Sequence, residues 1–355
     1  MKKISINIIG KVPPPIGGVT IHTLRLFQWL KKDSNFDVTL TALNKHSLED
    51  ENIQYSGNFA LWIIKKLFFG FKEDIVHYQG ANYYGLVILA IVRKLHPSFK
   101  LLWSIHSEYL IDKIKNKKLF NFAIKNIDNI IADNINIKNQ LMDNNFFDKN
   151  IVIISPFLMP DNFNKKENTL LNKFKNNDKI IILFNAYRLV FNSNDKDVYG
   201  LDTLIKSFVD IKKNTILILL IPFMDNNEKK YYNKLLEILT IEQKKRVILI
   251  SDTIVDGWKY INSCDIFVRP TITDGDALSI KEALYMNKPT IVSDCTVRPD
   301  NTILFKTSCP DDLSEKINET IDNKYNITNL TKENNINKFI NFYKAIRGKN
   351  ANTIS

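Results

Sequence analysis

Residues Asp265–Asp294 read DIFVRPTITDGDALSIKEALYMNKPTIVSD, and this stretch decides the fold. A short apolar run, Ile266 to Val268, is followed by an acidic glycine loop, a helix-length segment and a second strand-like segment within Lys288 to Asp294. Strand, loop, helix, strand is the repeating unit of a parallel sheet. Asp274 falls on the loop and Glu282 within the helix. Carboxylates so placed can accept hydrogen bonds from sugar and ribose hydroxyls, while loop N–H groups at the helix N-terminus face a diphosphate. A plain N-capped helix, with Asp274 or Asp276 complementing the dipole, explains one acid but does not require the whole arrangement.

Working outward, the same alternation runs through the chain. In the first half, strands are expected at Lys3 to Ile9, Phe36 to Leu43, Asp74 to His77, Lys100 to Ile105, Asn129 to Ala132 and Ile151 to Ile154. Thr20 to Lys32 carries Ile21, Leu24, Phe27 and Leu30 near helical spacing. The pattern restarts at Lys179, with a helix from Leu201 to Lys212 and strands at Thr215 to Ile221, Arg246 to Ile250 and Cys264 to Val268. Ser155 to Lys175, with Pro156, Pro160 and a polar Asn/Lys-rich stretch, is the expected linker. Residues 1–160 and 161–335 then form two open α/β domains, and 336–355 a last helix and tail whose partner domain is left open. Ligands of such sheets sit beyond the carboxyl ends of the strands, so chemistry is expected in a cleft between the domains.

The chain has 355 residues, 45% of them hydrophobic and 25% charged, which suits two ordinary globular cores. It has no apolar run of the ~18 residues that a membrane span needs, and its amino terminus lacks a small-residue cleavage site, so neither a span nor a signal peptide is expected. Cys264, Cys295 and Cys309 form no CxxC pair, which fits a reducing, cytoplasmic setting. The net charge of +11 implies an anionic partner without choosing one. No helix-turn-helix, zinc or RNA-recognition signature points to nucleic acid, and none is expected as a partner. The histidines, all in the first half, show no metal spacing such as HExxH.

Four further segments bear on function. Gly10 to Thr20, containing Gly17 and Gly18, opens straight into a helix, where backbone N–H groups favour phosphate; a proline-stiffened turn reads equally well. His106 stands just past a buried strand, at a position that meets ligands in open sheets, whereas His77 reads as a satisfied core residue. Phe59 to Lys72 and Lys113 to Lys125 interleave aromatics with lysines, which suits an interfacial helix on anionic lipid or an amphipathic helix packed on the sheet.

From Pro13 to about Phe305 the chain resembles the retaining glycosyltransferases of family 4. The resemblance rests on Pro14-Pro15-Ile16-Gly17-Gly18, Ser104-Ile105-His106-Ser107, Asn185-Ala186-Tyr187-Arg188-Leu189, and Asp274-x7-Glu282 with Lys288-Pro289-Thr290-Ile291-Val292, where aspartate replaces the first glutamate of an E-x7-E motif. It implies the GT-B fold, two Rossmann-like parallel-sheet domains facing each other across a cleft, with the acceptor side first and the nucleotide-sugar domain second. It implies that Glu282 binds the ribose hydroxyls, that Asp274 contacts the donor sugar and that His106 sits beside the transferred sugar. Arg188, Gly17, Gly18 and the loop Gly275-Asp276-Ala277-Leu278 would meet the diphosphate. The family's lysine shortly after the arginine has no plain counterpart; Lys196 is the candidate.

The implied activity is metal-independent hexosyl transfer, without a cofactor, from a nucleotide-diphosphate sugar to a polyprenyl-linked or oligosaccharide acceptor. Its setting would be the cytoplasmic face of a membrane, in bacterial cell-surface polysaccharide or glycolipid synthesis. The alternatives are a nucleotide-sugar epimerase or hydrolase on a similar scaffold, and a non-catalytic sugar-nucleotide-binding protein.

Overall fold

The structure, a computed structural model, describes residues 2–116, 118–143, 150–163, 171, 179–212, 214–251, 256–274, 277–322 and 334–347. The chain divides into two units, Met1–Asn162 with Asn334–Ser355, and Phe163–Glu333. Most of the sequence between the two strand series, 164–170 and 172–178, lies outside the described residues.

The first unit runs β1 (Ile4–Gly10), α1 (Gly18–Lys32), β2 (Phe36–Ala42), β3 (Ile53–Tyr55), α2 (Phe59–Phe69), β4 (Ile75–Tyr78), α3 (Tyr83–Leu95), β5 (Lys100–Ile105), α4 (Glu108–Ile114), α5 (Phe120–Lys125), β6 (Asn129–Ala132), α6 (Ile135–Asp143) and β7 (Asn150–Ile153). Its strands form one parallel sheet in the order β3-β2-β1-β4-β5-β6-β7. Side chains on a strand alternate between faces, and the packing follows that period. Leu101, Trp103 and Ile105 of β5 join the core with α3 and α5, whereas the intervening Leu102 joins the one with α1. Both faces of the sheet are therefore covered, which is why its strands are continuous apolar runs.

The second unit runs β8 (Ile180–Asn185), α7 (Leu201–Ser207), β9 (Thr215–Leu220), α8 (Asn226–Leu236), α9 (Ile241–Lys244), β10 (Val247–Ile250), α10 (Gly257–Ser263), β11 (Ile266–Arg269), α11 (Leu278–Tyr285), β12 (Thr290–Ser293), β13 (Ile303–Phe305) and α12 (Pro310–Ile321). Its sheet is also parallel, in the order β10-β9-β8-β11-β12-β13. Both sheets thus follow one winding rule: the chain works outward from its first strand, then crosses to the other side. The reversal falls between β1 and β4 in the first unit and between β8 and β11 in the second, and crevices at such points take ligands.

The terminal helix α13 (Ile336–Arg347) belongs to the first unit, where Phe339, Phe342 and Tyr343 are buried in the core that contains α1. The helix expected over Leu201 to Lys212 stops at Ser207 and closes in a 3-10 turn, Phe208–Asp210. Lys113 to Lys125 is not one element, because α4 ends at Ile114 and α5 begins at Phe120.

Candidate functional site

In the first unit, the residues that immediately follow three adjacent strands meet one another. Gln79 follows β4, His106 follows β5 and Asp133 follows β6. Asp133 Oδ2 lies 2.8 Å from His106 Nδ1, and Gln79 Oε1 lies 2.7 Å from His106 Nε2. The His106 and Asp133 side chains are only 9% and 6% exposed, so water competes little for these bonds. With the Gln79 amide oriented this way both ring nitrogens donate; turning the amide over gives Nε2 a donor to accept from instead.

Two more histidines lie behind. His22 packs edge-on to His106 at 5.3 Å and hydrogen-bonds Pro156 O through Nδ1, while its buried Nε2 has no partner among the described residues. His77 joins the Tyr343 hydroxyl through Nδ1 and the Ser104 hydroxyl through Nε2, the satisfied core residue expected. Burial, then the neighbouring His106, holds His77 down to about 3 and His22 well below the usual histidine value. Through Tyr343, α13 braces the floor of this network.

A cavity of about 630 Å³ opens beside His106, lined also by Lys11, Leu43, Phe59, Tyr78, Gln79 and Ser104 among others. Its size suits a small-molecule site, roughly 300–1,000 Å³. It lies at the reversal of strand order, since Lys11 follows β1 and Gln79 follows β4.

The Gly17–Gly18 loop borders this region. Asn44 staples it, accepting from Val12 N at 2.9 Å and donating to Val12 O and Pro14 O. Gly17 precedes α1 with an extended backbone and donates its N–H to Thr20 Oγ1 at 3.0 Å; Gly18 is the first residue of the helix. A Cβ on Gly17 would meet nothing nearer than Thr20 Oγ1 at 3.9 Å, so packing alone does not demand glycine there.

In the second unit, Arg188 follows β8 and Asp274 follows the adjacent strand β11, and both are ion-paired. Arg188 donates from Nε and Nη2 to Glu228 Oε1 at 3.0 and 2.8 Å, and from Nη2 to Asp225 Oδ2 at 3.3 Å. Asp225 and Glu228 form the capping box of α8, so the arginine rests on a helix start; 44% of its side chain stays exposed. The Glu228 carboxylate raises the Arg188 pKa further.

Asp274 is held from two sides. Arg269 donates to both carboxylate oxygens at 2.8 and 3.1 Å, Arg298 donates to Oδ2 at 3.0 Å, and Thr271 donates to Oδ2 at 3.2 Å. Burial alone would raise this carboxyl, but the arginines outweigh it and hold it below the usual range. Arg298, 3% exposed, also donates to Ser293 O at 2.8 Å and thereby ties the segment after β12 to the Asp274 loop. Asp274 does not cap α11, whose N-cap is Ala277 without a side-chain bond.

Glu282 is buried in α11, Leu278 begins that helix, and Gly275 and Asp276 lie outside the described residues. Lys196 sits exposed on the turn closed by the Phe191–Asp197 bridge. The next residue, Asp197, is buried and accepts from Tyr199 N and Leu201 N at the start of α7; burial pushes it up to about 6. Gly200 has φ +71, and a Cβ there would fall 2.0 Å from Pro270 O, so only glycine lets this loop lie against the one after β11.

Gln79, Asp133, Arg269 and Arg298 escaped the sequence reading. Gln79 and Asp133 were within reach of the rule that singled out His106, since each immediately follows a buried strand. Arg298 carries no such signal.

Residues 173–340 match the family described as Glycosyl transferases group 1. The protein named Uncharacterized glycosyltransferase MJ1178, from Methanocaldococcus jannaschii, is 24% identical over 335 residues, covering 88% of this chain and 86% of its own. Among solved structures, Alr3699/HepE of Anabaena in complex with UDP superposes with a TM-score of 0.67 at 14% identity, over 97% of this chain and 98% of that one. A putative UDP-N-acetylglucosamine 2-epimerase from Listeria monocytogenes superposes with a TM-score of 0.65 at 13% identity, over 98% of each chain. The fold is GT-B. The matches together support a glycosyltransferase of the GT-B type.

Proposed function

We propose that this protein is a retaining glycosyltransferase that moves a sugar from a nucleotide-diphosphate sugar to a lipid-linked or saccharide acceptor in bacterial cell-surface polysaccharide or glycolipid synthesis. The second unit binds the donor: Glu282 takes the ribose hydroxyls, and Arg188, assisted by Lys196, takes the diphosphate. The Gly275-Asp276-Ala277-Leu278 loop and Gly17–Gly18 add backbone N–H groups to it. Asp274 and His106 meet the sugar being transferred. The observation that carries the reading is His106, fixed through both ring nitrogens and exposed to a cavity of substrate size at a strand-order reversal.

In the transfer step the bond from the anomeric carbon to the β-phosphate oxygen breaks, and a bond to the acceptor oxygen forms on the same face. The acceptor proton passes to the leaving phosphate. Negative charge grows on that phosphate, so the Arg188 guanidinium and preorganised N–H groups lower the barrier; loss of one such donor costs about 10²-fold or more in rate. The same reading makes the reaction metal-independent, and full activity in excess EDTA is expected.

Peripheral binding at the cytoplasmic face of a membrane belongs to the proposal and is supported by the outward side of α2, where Leu61, Ile64, Phe68 and Phe69 are exposed. No helix among the described residues is long and apolar enough to cross a bilayer.

A panel of nucleotide-sugars, UDP-sugars first, tests the reading: the true donor raises the melting temperature and is consumed only when an acceptor is added. Consumption or epimerisation without acceptor would instead favour a nucleotide-sugar epimerase or hydrolase, and stabilisation without consumption a binding protein.

A further inference from the structure

The second unit holds a positive charge that its own side chains do not balance. Arg269 and Arg298 share one carboxylate, Asp274, and the three side chains are largely buried, at 14%, 3% and 9% exposed. The other partners of Arg298 are Ser293 O, Ser293 Oγ, Thr271 Oγ1 and Cys295 Sγ. Those of Arg269 are Ser279 Oγ at 3.4 Å and the Tyr199 ring, whose centroid lies 5.5 Å from the guanidinium carbon. None is a carboxylate, so among the described residues two guanidiniums face one acid. A charge left over in a buried setting is costly, and a bound counter-charge removes that cost.

The surplus lies where a ligand meets an open sheet. Arg269 is the last residue of β11, at the reversal of strand order between β8 and β11. Its Nε and Nη2 donate to Asp274, whereas Nη1 has only the long bond to Ser279 among the described residues. Ser279 stands in the first turn of α11, which opens without a side-chain cap and without an acid, so the positive end of the helix dipole adds to the same spot. Arg298, the more deeply buried of the two, lends its charge through Asp274. A guanidinium with donors to spare recognises a carboxylate by charge-assisted hydrogen bonds. A sugar hydroxyl accepts such a bond but brings no charge to balance the site.

We infer that the donor sugar is a uronate, its carboxylate held by Arg269 with the charge of Arg298 in support. The inference rests on the transferase reading, in which Asp274 meets the transferred sugar, and narrows the donor to a nucleotide-diphosphate uronate. The diphosphate is not the anion in question, because that reading gives it Arg188, which pairs with Glu228 and Asp225 and not with Asp274.

Calorimetry on the full-length protein compares nucleotide-sugars that differ only in the carboxylate: UDP-glucuronate with UDP-glucose, UDP-galacturonate with UDP-galactose, and GDP-mannuronate with GDP-mannose. UDP and GDP alone report on the diphosphate. In at least one pair the uronate should bind about tenfold tighter or more, as a hydrogen bond to a charged group allows. In Arg269→Gln the two members of that pair should bind equally, with the bare nucleotide bound as in wild type. Should that variant fail to fold, the wild-type ratios still decide. Neutral sugars bound as tightly as their uronates in every pair overturn the inference. A loss in Arg269→Gln that is as large for the bare nucleotide as for the uronate overturns it too, and moves the charge to the diphosphate. The transferase reading is judged separately: a preferred uronate consumed without acceptor leaves the inference standing and removes the transferase, whereas a neutral sugar preferred and transferred does the reverse.

Discussion

The two units wind their sheets by the same rule but furnish the point of reversal with opposite chemistry. In the first, the reversal holds side chains joined mainly by hydrogen bonds, Gln79, His106 and Ser104, beside an apolar wall and backed by His77. In the second, it holds charges already paired, Arg188 on Glu228 and Asp274 between Arg269 and Arg298. Topology sets where the reversal falls, and the few residues after each strand decide its chemistry. A pre-paired cation costs little reorganisation when a diphosphate arrives, because its position is already set by its partners. The imidazole network suits a less charged partner, a sugar and its acceptor.

The largest effect should come from removing the charge at the centre of the second region. Asp274→Ala leaves Arg269 and Arg298 buried without their carboxylate, so the second unit should lose about 3–5 kcal/mol in urea unfolding. If stability held, Arg269 and Arg298 would not depend on this carboxylate, and Asp274 would not be part of the frame. Next, Arg188→Ala and Glu282→Ala should each weaken nucleotide binding about tenfold, as loss of a hydrogen bond to a charged group or a buried hydroxyl contact implies. Calorimetry with UDP checks this, and unchanged affinity in both variants would remove the second region from donor binding.

A third effect concerns the neutral histidines. Below about pH 6.5 the unfolded chain protonates His22 and His77, while the folded chain keeps them neutral. The unfolded state then binds more protons, so stability falls with falling pH, by about 1.4 kcal/mol per unit for each such histidine. Asp197, held at about 6 in the folded chain, contributes the opposite slope over the same window, so the test compares two proteins: unfolding measured between about pH 6.5 and 5 should depend on pH by one proton less in His77→Asn than in wild type. Equal slopes in the two proteins would contradict a neutral, buried His77.

Much of this was legible in the sequence because buried parallel strands leave a plain mark. Lys3 to Ile9 was expected and Ile4–Gly10 is found, while Asn129–Ala132 was placed to the residue. The three-residue strands Ile53–Tyr55 and Ile303–Phe305 were not anticipated. Both are edge strands, and the first is exposed at two of its three positions, so no apolar run announces it. His106 could be singled out by its position after a strand, but its partners lie 27 residues away on either side, where only the assembled sheet brings them together. Arg298 reaches Asp274 across 24 residues of intervening strand and helix, and local pattern carries no trace of that contact. The unit joined by the last helix was equally invisible, since Phe339, Phe342 and Tyr343 suit any apolar groove.

The most direct measurement is nucleotide release from a UDP-sugar by wild type and His106→Ala, with and without acceptor, alongside UDP affinity. The expected result is release that requires acceptor and falls about 10²-fold in the variant, with UDP bound as tightly as before. Release that ignores the acceptor, or a variant that loses UDP affinity in proportion to rate, would contradict the division of labour between the imidazole of one unit and the ion pairs of the other.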